Sequence, residues 1–264
     1  MDALTAITRG AGPDVVLVHG ALGDHRQWVP IADALEAGYR VTSISRRYHW
    51  PGPPPPAAAS YNYIEHAHDL RAFLQSLGRP AHLVGHSWGA GVALLTALAE
   101  GTTVRSLVLI EPAFSSLIET GPANVQAELA SRDALMNEIR RLVGDGDDAA
   151  AARALVDWLQ NSSRGFAELP PQAQEGLLAN AKTIGPTFSA PPPQVTCNRL
   201  SQLDVPALVL YGARTRMFYR LVAERAAACL PNARLQTVPA CGHMSIVENP
   251  ESVASLLRDF LRRT

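Results

Sequence analysis

The chain has 264 residues, of which 47% are apolar and 18% are charged. This composition is typical of a globular protein and excludes a mainly disordered one. The 23 basic and 24 acidic side chains nearly cancel, so nothing in the sequence indicates electrostatic binding to nucleic acid.

Short apolar runs, rich in β-branched residues, predict the strands of a buried parallel sheet, because such strands are apolar on both faces. In chain order these runs are residues 15–18, 39–44, 81–84, 104–110, 207–211 and 234–238. Apolar residues at helical spacing predict helices between the strands. These helices are residues 28–37, 63–77, 89–100, 219–230 and 250–262. The alternation predicts an α/β fold with a doubly wound, mostly parallel sheet flanked by helices.

A long stretch without a convincing strand interrupts this alternation. Its helical patterns are residues 124–142, 147–159 and 171–183. Because about 90 residues are too many for a crossover connection, we expect a helical cap, inserted after the strand that ends at Glu111. The predicted domains are the first part of the α/β core at residues 1–112, the cap at residues 113–203 and the second part of the core at residues 204–264.

Residues 85–89 read Gly-His-Ser-Trp-Gly between a predicted strand and a predicted helix. In a nucleophile elbow, the two glycines let the strand and the helix pass closely. The central serine, here Ser87, is held on a strained turn with its hydroxyl exposed. The start of the following helix favours the negative charge that develops during acyl transfer. Ser87 is therefore the predicted nucleophile.

A serine nucleophile requires a base. Among the eight histidines, His243 follows the last predicted strand, where its loop reaches the carboxyl edge of the sheet that also carries Ser87. His243 is therefore the predicted base. The loop His19-Gly20-Ala21, after the first buried strand, can turn a backbone N–H toward the serine. The N–H groups of Ala21 and Trp88 are the predicted oxyanion hole.

These segments, in this order and with this pattern of elements, resemble the α/β-hydrolase fold superfamily. The tail from Leu203 through His243 to Glu251 is similar to that of many capped members. The resemblance implies hydrolysis of carboxylic esters, lactones or activated C–C bonds in a small-molecule substrate. It implies no cofactor, and no metal or dinucleotide motif is found in the sequence.

The third member of the predicted triad departs from the family pattern. Members usually place an acid three residues beyond the glycine that follows the strand at residues 207–211, and here that position is Thr215. A hydroxyl cannot stabilise an imidazolium as a carboxylate does. Glu111, at the end of the strand after the nucleophile strand, is the predicted replacement. Alternatively, Glu111 is a pocket carboxylate or pairs with an arginine. Glu248 is expected to cap the last helix.

The predicted function is a serine hydrolase that cleaves a small, fairly apolar carboxylic ester, thioester or lactone through an acyl-enzyme. Residues 45–50 read Ser-Arg-Arg-Tyr-His-Trp, which could grip a carboxylate or a polyketide-like oxygen. This segment favours an alternative, a lyase, cyclase or C–C bond hydrolase that uses the same Ser–His site. The missing acid at Thr215 favours another, a weakly catalytic binding protein. The residues predicted to line the substrate pocket are Leu22, Arg46, His49, Trp50, Phe114, Trp158, Met217 and Met244.

Cysteine spacing and hydropathy bear on compartment and membrane association. The cysteines Cys197, Cys229 and Cys241 are too few and too scattered to indicate a disulfide framework or a zinc site. The first ten residues carry Asp2 and no apolar segment, so no signal peptide is predicted. The longest uncharged apolar run is about half the length of a membrane span. We therefore expect a cytoplasmic protein that does not enter a membrane. The natural substrate and the oligomeric state stay open.

Overall fold

The computed structural model describes residues 4–56, 60–99, 103–118 and 121–264. Within these residues a seven-stranded sheet has the order β1-β3-β2-β4-β5-β6-β7. The strands are β1 (Thr5–Arg9), β2 (Asp14–Val18), β3 (Arg40–Ser45), β4 (Ala81–His86), β5 (Val104–Ile110), β6 (Ala207–Gly212) and β7 (Ala233–Val238). Strand β1 runs antiparallel to β3, and the other neighbours pair in parallel. The predicted α/β class and mostly parallel sheet are confirmed.

Strand β1 is the one strand that the sequence analysis missed in the described chain. It lies at the edge of the sheet, and its residues are half-buried or exposed. An edge strand of this kind needs no continuous apolar run, so the pattern that identified the buried strands is absent from it.

Helices cover both faces of the sheet. They are α1 (Val29–Leu35), α2 (Tyr63–Ser76), α3 (Trp88–Ala99), α4 (Ala123–Gly144), α5 (Asp148–Leu159), α6 (Pro171–Ala179), α7 (Ile184–Ser189), α8 (Cys197–Leu200), α9 (Met217–Cys229), α10 (Ser245–Glu248) and α11 (Pro250–Leu261). Helices α1 and α11 pack on one face, and α2, α3 and α9 pack on the other. Successive strand residues point to opposite faces, so strands β2 to β6 contribute buried residues to both cores.

Side-chain caps fix where several helices begin. Asn62 accepts hydrogen bonds from two backbone N–H groups at the start of α2, and Asp147 accepts one at the start of α5. Asn249 accepts the N–H of Ser252 at the start of α11. Such caps satisfy the unpaired N–H groups of the first turn. The expectation that Glu248 caps the last helix is therefore wrong, because Asn249 occupies that position.

Between β5 and β6 the described chain forms helices α4 to α8 and no strand. This helical insert follows β5, as predicted, while its boundaries and its role as a cap stay predictions. Arg216, at the start of α9, holds it with a bidentate ion pair to Glu128 on α4, with both N···O distances 2.9 Å. Both side chains are largely buried, which strengthens such a pair. No helix among the described residues is long and apolar enough to span a membrane.

A disulfide joins Cys197 on α8 to Cys229 at the end of α9. This bond was not predicted from the sequence, because 32 residues separate the two cysteines and only the packing of α8 on α9 brings their Cα atoms to 4.9 Å. Disulfides are rare in cytosolic proteins. The bond is therefore at odds with the predicted cytoplasmic location, which stays a prediction. Cys241 is free and buried.

Candidate active site

The turn between β4 and α3 holds Ser87 in a left-handed backbone conformation, with φ of 52°. Two glycines make this turn possible. A Cβ atom at Gly85 would lie 2.5 Å from the carbonyl oxygen of Gly89, and a Cβ atom at Gly89 would overlap the carbonyl oxygen of His19. The Ser87 N–H donates to the carbonyl oxygen of Ile110 at 2.8 Å, which ties the turn to the end of β5. Strain of this kind often accompanies a functional site.

Hydrogen bonds link the three residues predicted as a triad. The Oγ atom of Ser87 lies 2.9 Å from Nε2 of His243, and Nδ1 of His243 lies 3.1 Å from Oε2 of Glu111. Ser87 follows β4, Glu111 follows β5, and His243 lies in the loop after β7. All three are buried. The carboxyl edge of the sheet thus brings His243 to two side chains that precede it by more than 100 residues in sequence.

Glu111 receives three hydrogen bonds. Its Oε1 atom accepts the N–H of Gly212 at 2.5 Å, and its Oε2 atom accepts the hydroxyl of Thr215 at 2.7 Å. The third donor is His243. Thr215, the residue at the usual acid position, therefore donates to the same carboxylate that is hydrogen-bonded to His243. Among the described residues, no arginine forms an ion pair with Glu111, so the alternative in which an arginine pairs with it is not observed.

Burial sets the protonation of this pair. It raises the pKa of Glu111 to about 7, although the Gly212 N–H and the Thr215 hydroxyl favour the charged form. Burial also lowers the pKa of His243 to about 3. Above neutral pH the imidazole is therefore uncharged and the carboxyl is ionised. In that state Nδ1–H donates to Glu111 and Nε2 can accept the proton of Ser87, as a general base requires.

The loop after β2 lies directly against Ser87. A Cβ atom at Gly20 would lie 3.1 Å from Cβ of Ser87, so only glycine fits here without a shift of its neighbours. Neither the N–H of Ala21 nor that of Trp88 has an acceptor among the described residues. Both residues line the same cavity as Ser87. These two N–H groups are thus free to bind an oxygen, as the oxyanion-hole prediction requires.

The cavity above Ser87 has a volume of about 280 Å³. Its walls come from the loop after β2, from α4, α5 and α7 of the helical insert, and from the start of α9. Apolar side chains that line it include Leu135, Met136, Leu155, Leu159, Phe188 and Phe218. Charged side chains on α4 also line it, namely Arg132, Asp133 and Arg140. The cavity therefore offers an apolar wall and a charged rim.

Most residues predicted to line the pocket lie elsewhere. Trp158 lines the cavity, as do Trp88 and Phe188. Leu22, Phe114 and Met244 are packed in the core instead. Trp50 is 40% exposed and stacks with Arg26 outside the cavity. The Met217 sulfur accepts a hydrogen bond from Asn124.

Arg46 and His49, from the segment interpreted as substrate-gripping, lie behind the loop after β2 and face a different cavity. Arg46 donates to the carbonyl oxygen of Gly20, and His49 donates to that of Gly23. Both side chains also contact the Tyr61 hydroxyl. Protein atoms thus occupy most of the donors that were predicted to bind a substrate. That assignment is corrected accordingly.

Several residues that support His243 were not predicted. His86 Nε2–H donates to the carbonyl oxygen of His243 at 2.9 Å. Glu248 accepts the N–H of Gly242 at 3.1 Å, which braces the same loop. The Tyr219 ring lies 4.0 Å from the imidazole ring of His243, centre to centre. No short motif encodes these contacts, because each depends on tertiary packing. Among the described residues, no group of three or more His, Cys, Asp or Glu side chains could hold a metal ion.

A class of α/β enzymes is defined by a strained serine at a strand–helix turn of a mostly parallel sheet. This serine is hydrogen-bonded to a histidine, which in turn is hydrogen-bonded to a buried carboxylate. Comparison with known proteins agrees with this class. Residues 15–256 match the model of the alpha/beta hydrolase family. The chain therefore belongs to this family.

Relatives of known activity include hydrolases. The chain is 24% identical to carboxylesterase YbfK of Bacillus subtilis over 94% of its length and 80% of that protein. The solved structure of that esterase superposes with a TM-score of 0.78, covering 98% of this chain and 87% of the other. The pimeloyl-[acyl-carrier protein] methyl ester esterase of Aromatoleum aromaticum is 28% identical over 95% of this chain and 98% of its own length.

A longer relative is the dihydrolipoyllysine-residue acetyltransferase component of the acetoin cleaving system of Cupriavidus necator. It is 28% identical over 96% of this chain, which spans 65% of its length. Esterases and other hydrolases among the relatives support assigning the chain as a hydrolase enzyme.

Proposed function

We propose that the chain is a serine hydrolase that cleaves a small carboxylic ester, thioester or lactone through an acyl-enzyme. The observation that carries this proposal is the continuous relay from Ser87 Oγ through His243 to Glu111, at 2.9 and 3.1 Å. A relay of this geometry lets the imidazole take a proton from the hydroxyl while the carboxylate steadies the charge that forms.

The proposed reaction has two halves. Ser87 Oγ attacks the substrate carbonyl carbon and gives its proton to Nε2 of His243, while the N–H groups of Ala21 and Trp88 bind the oxyanion. The tetrahedral intermediate collapses, and the leaving alcohol, thiol or ring oxygen takes that proton. Water then attacks the acyl-enzyme and gives a proton to His243. The acid is released and the proton returns to Ser87.

The two alternative functions, a lyase, cyclase or C–C bond hydrolase and a weakly catalytic binding protein, each rested on one sequence observation that no longer favours them. Arg46 and His49 bond to the backbone behind the oxyanion loop, so they do not favour a lyase, cyclase or C–C bond hydrolase over an esterase. The hydrogen bond between His243 and Glu111 supports Glu111 as the acid, so the absence of an acid at Thr215 no longer favours a binding protein. The apolar wall of the cavity supports an acyl group of modest size.

A fluorophosphonate probe tests the proposal, because it reacts with activated serines. We expect the probe to modify Ser87, and we expect Ser87→Ala to lower kcat for a p-nitrophenyl ester at least about 10³-fold. Ser106→Ala is the matched control, since Ser106 is a buried serine bonded to His82 near the start of β5. Labelling at another residue, or an alanine variant with a tenth of wild-type kcat, would refute the proposed nucleophile.

A further inference from the structure

The strongest unexplained group near the site is the side chain of Arg46. It is 2% exposed, and no carboxylate among the described residues lies within ion-pair distance of it. Its Nη2 atom donates to the carbonyl oxygen of Gly20 at 3.0 Å, its Nη1 atom lies 3.5 Å from the hydroxyl of Tyr61, and its Nε atom has no partner. A buried charge without a counter-ion is costly, so its retention suggests a use.

The histidines around Arg46 do not share this charge. Nε2 of His19 accepts the N–H of Arg46 at 3.0 Å, so the proton lies on Nδ1, which donates to the Gly20 carbonyl oxygen at 2.8 Å. His49 likewise donates from Nδ1 to Gly23 and accepts the Tyr61 hydroxyl at Nε2. Burial, and then the charge of Arg46, keep the pKa values of His19, His49 and His66 well below the usual range.

The carbonyl of Gly20 and the N–H of Ala21 belong to one planar amide group. A donor on the amide oxygen draws electron density from the nitrogen, so the N–H on the other side becomes a stronger donor. Here that oxygen accepts two donors, an uncharged imidazole and a guanidinium cation. Hydrogen bonds with an ionised partner are the stronger kind.

Arg46 also touches the second candidate donor residue. Its guanidinium carbon lies 4.3 Å from the ring centre of Trp88. The same cation therefore contacts Trp88 and the carbonyl of the peptide group that carries the Ala21 N–H. It does so from behind, because it does not line the cavity with Ser87.

We propose that Arg46 is a positioning residue that strengthens the oxyanion hole through the Gly20–Ala21 peptide. Its charge has no counter-ion until the oxyanion forms at the far side of that peptide. An interaction that gains strength only with the transition-state charge raises kcat rather than substrate affinity. This inference rests on the proposed serine mechanism.

The test compares Arg46→Gln, Arg46→Lys and Tyr61→Phe with the wild type. Loss of a whole oxyanion donor costs about 10²- to 10³-fold, so weakening one donor in Arg46→Gln should lower kcat roughly 10- to 100-fold. KM should change less than about threefold. Arg46→Lys keeps the charge and should recover part of the rate. Tyr61→Phe removes the other partner of the guanidinium and leaves its bond to Gly20, so it should retain most of kcat.

A pair of ketone inhibitors separates this electrostatic role from a merely structural one. A trifluoromethyl ketone forms an anionic tetrahedral adduct with an activated serine, whereas the methyl ketone of the same chain binds uncharged. Affinity for the first should fall in Arg46→Gln in parallel with kcat/KM, and affinity for the second should not change. Equal losses for both ketones, a rise in KM without a loss of kcat, or full activity in Arg46→Gln would overturn the inference.

Folding of the variants is checked by thermal unfolding. If Arg46→Gln does not fold, the two ketones are compared on Arg46→Lys instead. A lysine variant that loses affinity equally for both ketones overturns the proposal. Failure of the underlying mechanism is distinguishable, since the wild-type protein would then not react with a fluorophosphonate at Ser87.

Discussion

Replacing Glu111 with glutamine tests the triad most sharply, because the carboxylate accepts hydrogen bonds at both oxygens. Oε1 accepts the Gly212 N–H, and Oε2 accepts Thr215 and His243. Glutamine supplies one oxygen and one NH2 group. If the NH2 group faces Gly212, two donors meet in a buried site, at a cost of about 1–3 kcal/mol.

The opposite orientation keeps the hydrogen bond from the Gly212 N–H but places the NH2 group against Thr215 and His243. Nδ1 must then accept, so the imidazole proton moves to Nε2 and the ring cannot take a proton from Ser87. An amide in place of the acid costs about 10⁴-fold in the well-studied serine proteases, and we expect a loss of about 10²- to 10⁴-fold in kcat here.

The assay is the initial rate of p-nitrophenyl ester hydrolysis between pH 5.5 and 9, with thermal unfolding as the folding check. Since the pKa of Glu111 is raised to about 7 and the ionised form is required, wild-type kcat/KM should rise through neutral pH. The glutamine variant has no carboxyl to titrate, so this rise should disappear from its residual activity. A variant with more than a tenth of wild-type kcat and an unchanged pH profile would show that Glu111 is not the acid.

Three further predictions concern pH and substrate charge. Thr215→Val removes a hydrogen bond that favours the charged form of Glu111, so the rise in kcat/KM should move to higher pH. An unchanged pH profile would count against a role of Thr215 in keeping Glu111 ionised. Glu128 lies one turn before Arg132 on α4 and is already paired with Arg216. Arg132 lines the cavity without an ion-pair partner among the described residues. Arg132→Gln should therefore raise KM roughly fivefold for an ester with a distal carboxylate and leave a neutral ester of equal length unaffected; equal effects on both esters would contradict it. Stability should fall in acid, because burial lowers the pKa of several imidazoles, those of His19, His49, His66, His86 and His243. Below about pH 6.5 the unfolded chain binds these protons and the folded chain does not, so each imidazole can remove up to about 1.4 kcal/mol per pH unit from the free energy of unfolding. The raised pKa of Glu111 has the opposite effect on stability and offsets the contribution of one imidazole. Urea titrations at pH 7.5, 6 and 5 measure this, and a midpoint constant over that range would refute it.

Local patterns were sufficient to predict every strand of the sheet except β1, and the three residues of the relay. Buried strands are continuous apolar runs, and parallel strands end at a common edge, so residues that follow strands were expected near one another. Ser87, Glu111 and His243 each follow a strand end in this way. The structure brings all three into one hydrogen-bonded chain, while their catalytic roles stay a proposal.

The walls of the cavity could not be predicted in the same way. They depend on how α4, α5 and α7 lie over the sheet, and a helical pattern shows which face is apolar but not what that face covers. Polar composition was also misleading at residues 45–50. The donors of Arg46 and His49 satisfy backbone carbonyls behind the loop, and nothing in the sequence distinguishes that use from binding a substrate.

The hydrogen bond between Glu111 and His243, with a hydroxyl at Thr215, has a simple geometric basis. Strands β5 and β6 are parallel neighbours with Ile110 opposite Leu210, and the N–H of Glu111 continues the ladder to Leu210 at 2.8 Å. Neighbouring strands lie about 4.8 Å apart, so a side chain from either strand end can reach the same imidazole. Because the carboxylate of Glu111 follows β5, the position of Thr215 after β6 is available for a hydrogen-bond donor. Thr215 supplies that donor, and its hydroxyl keeps a fully buried carboxylate closer to its charged form.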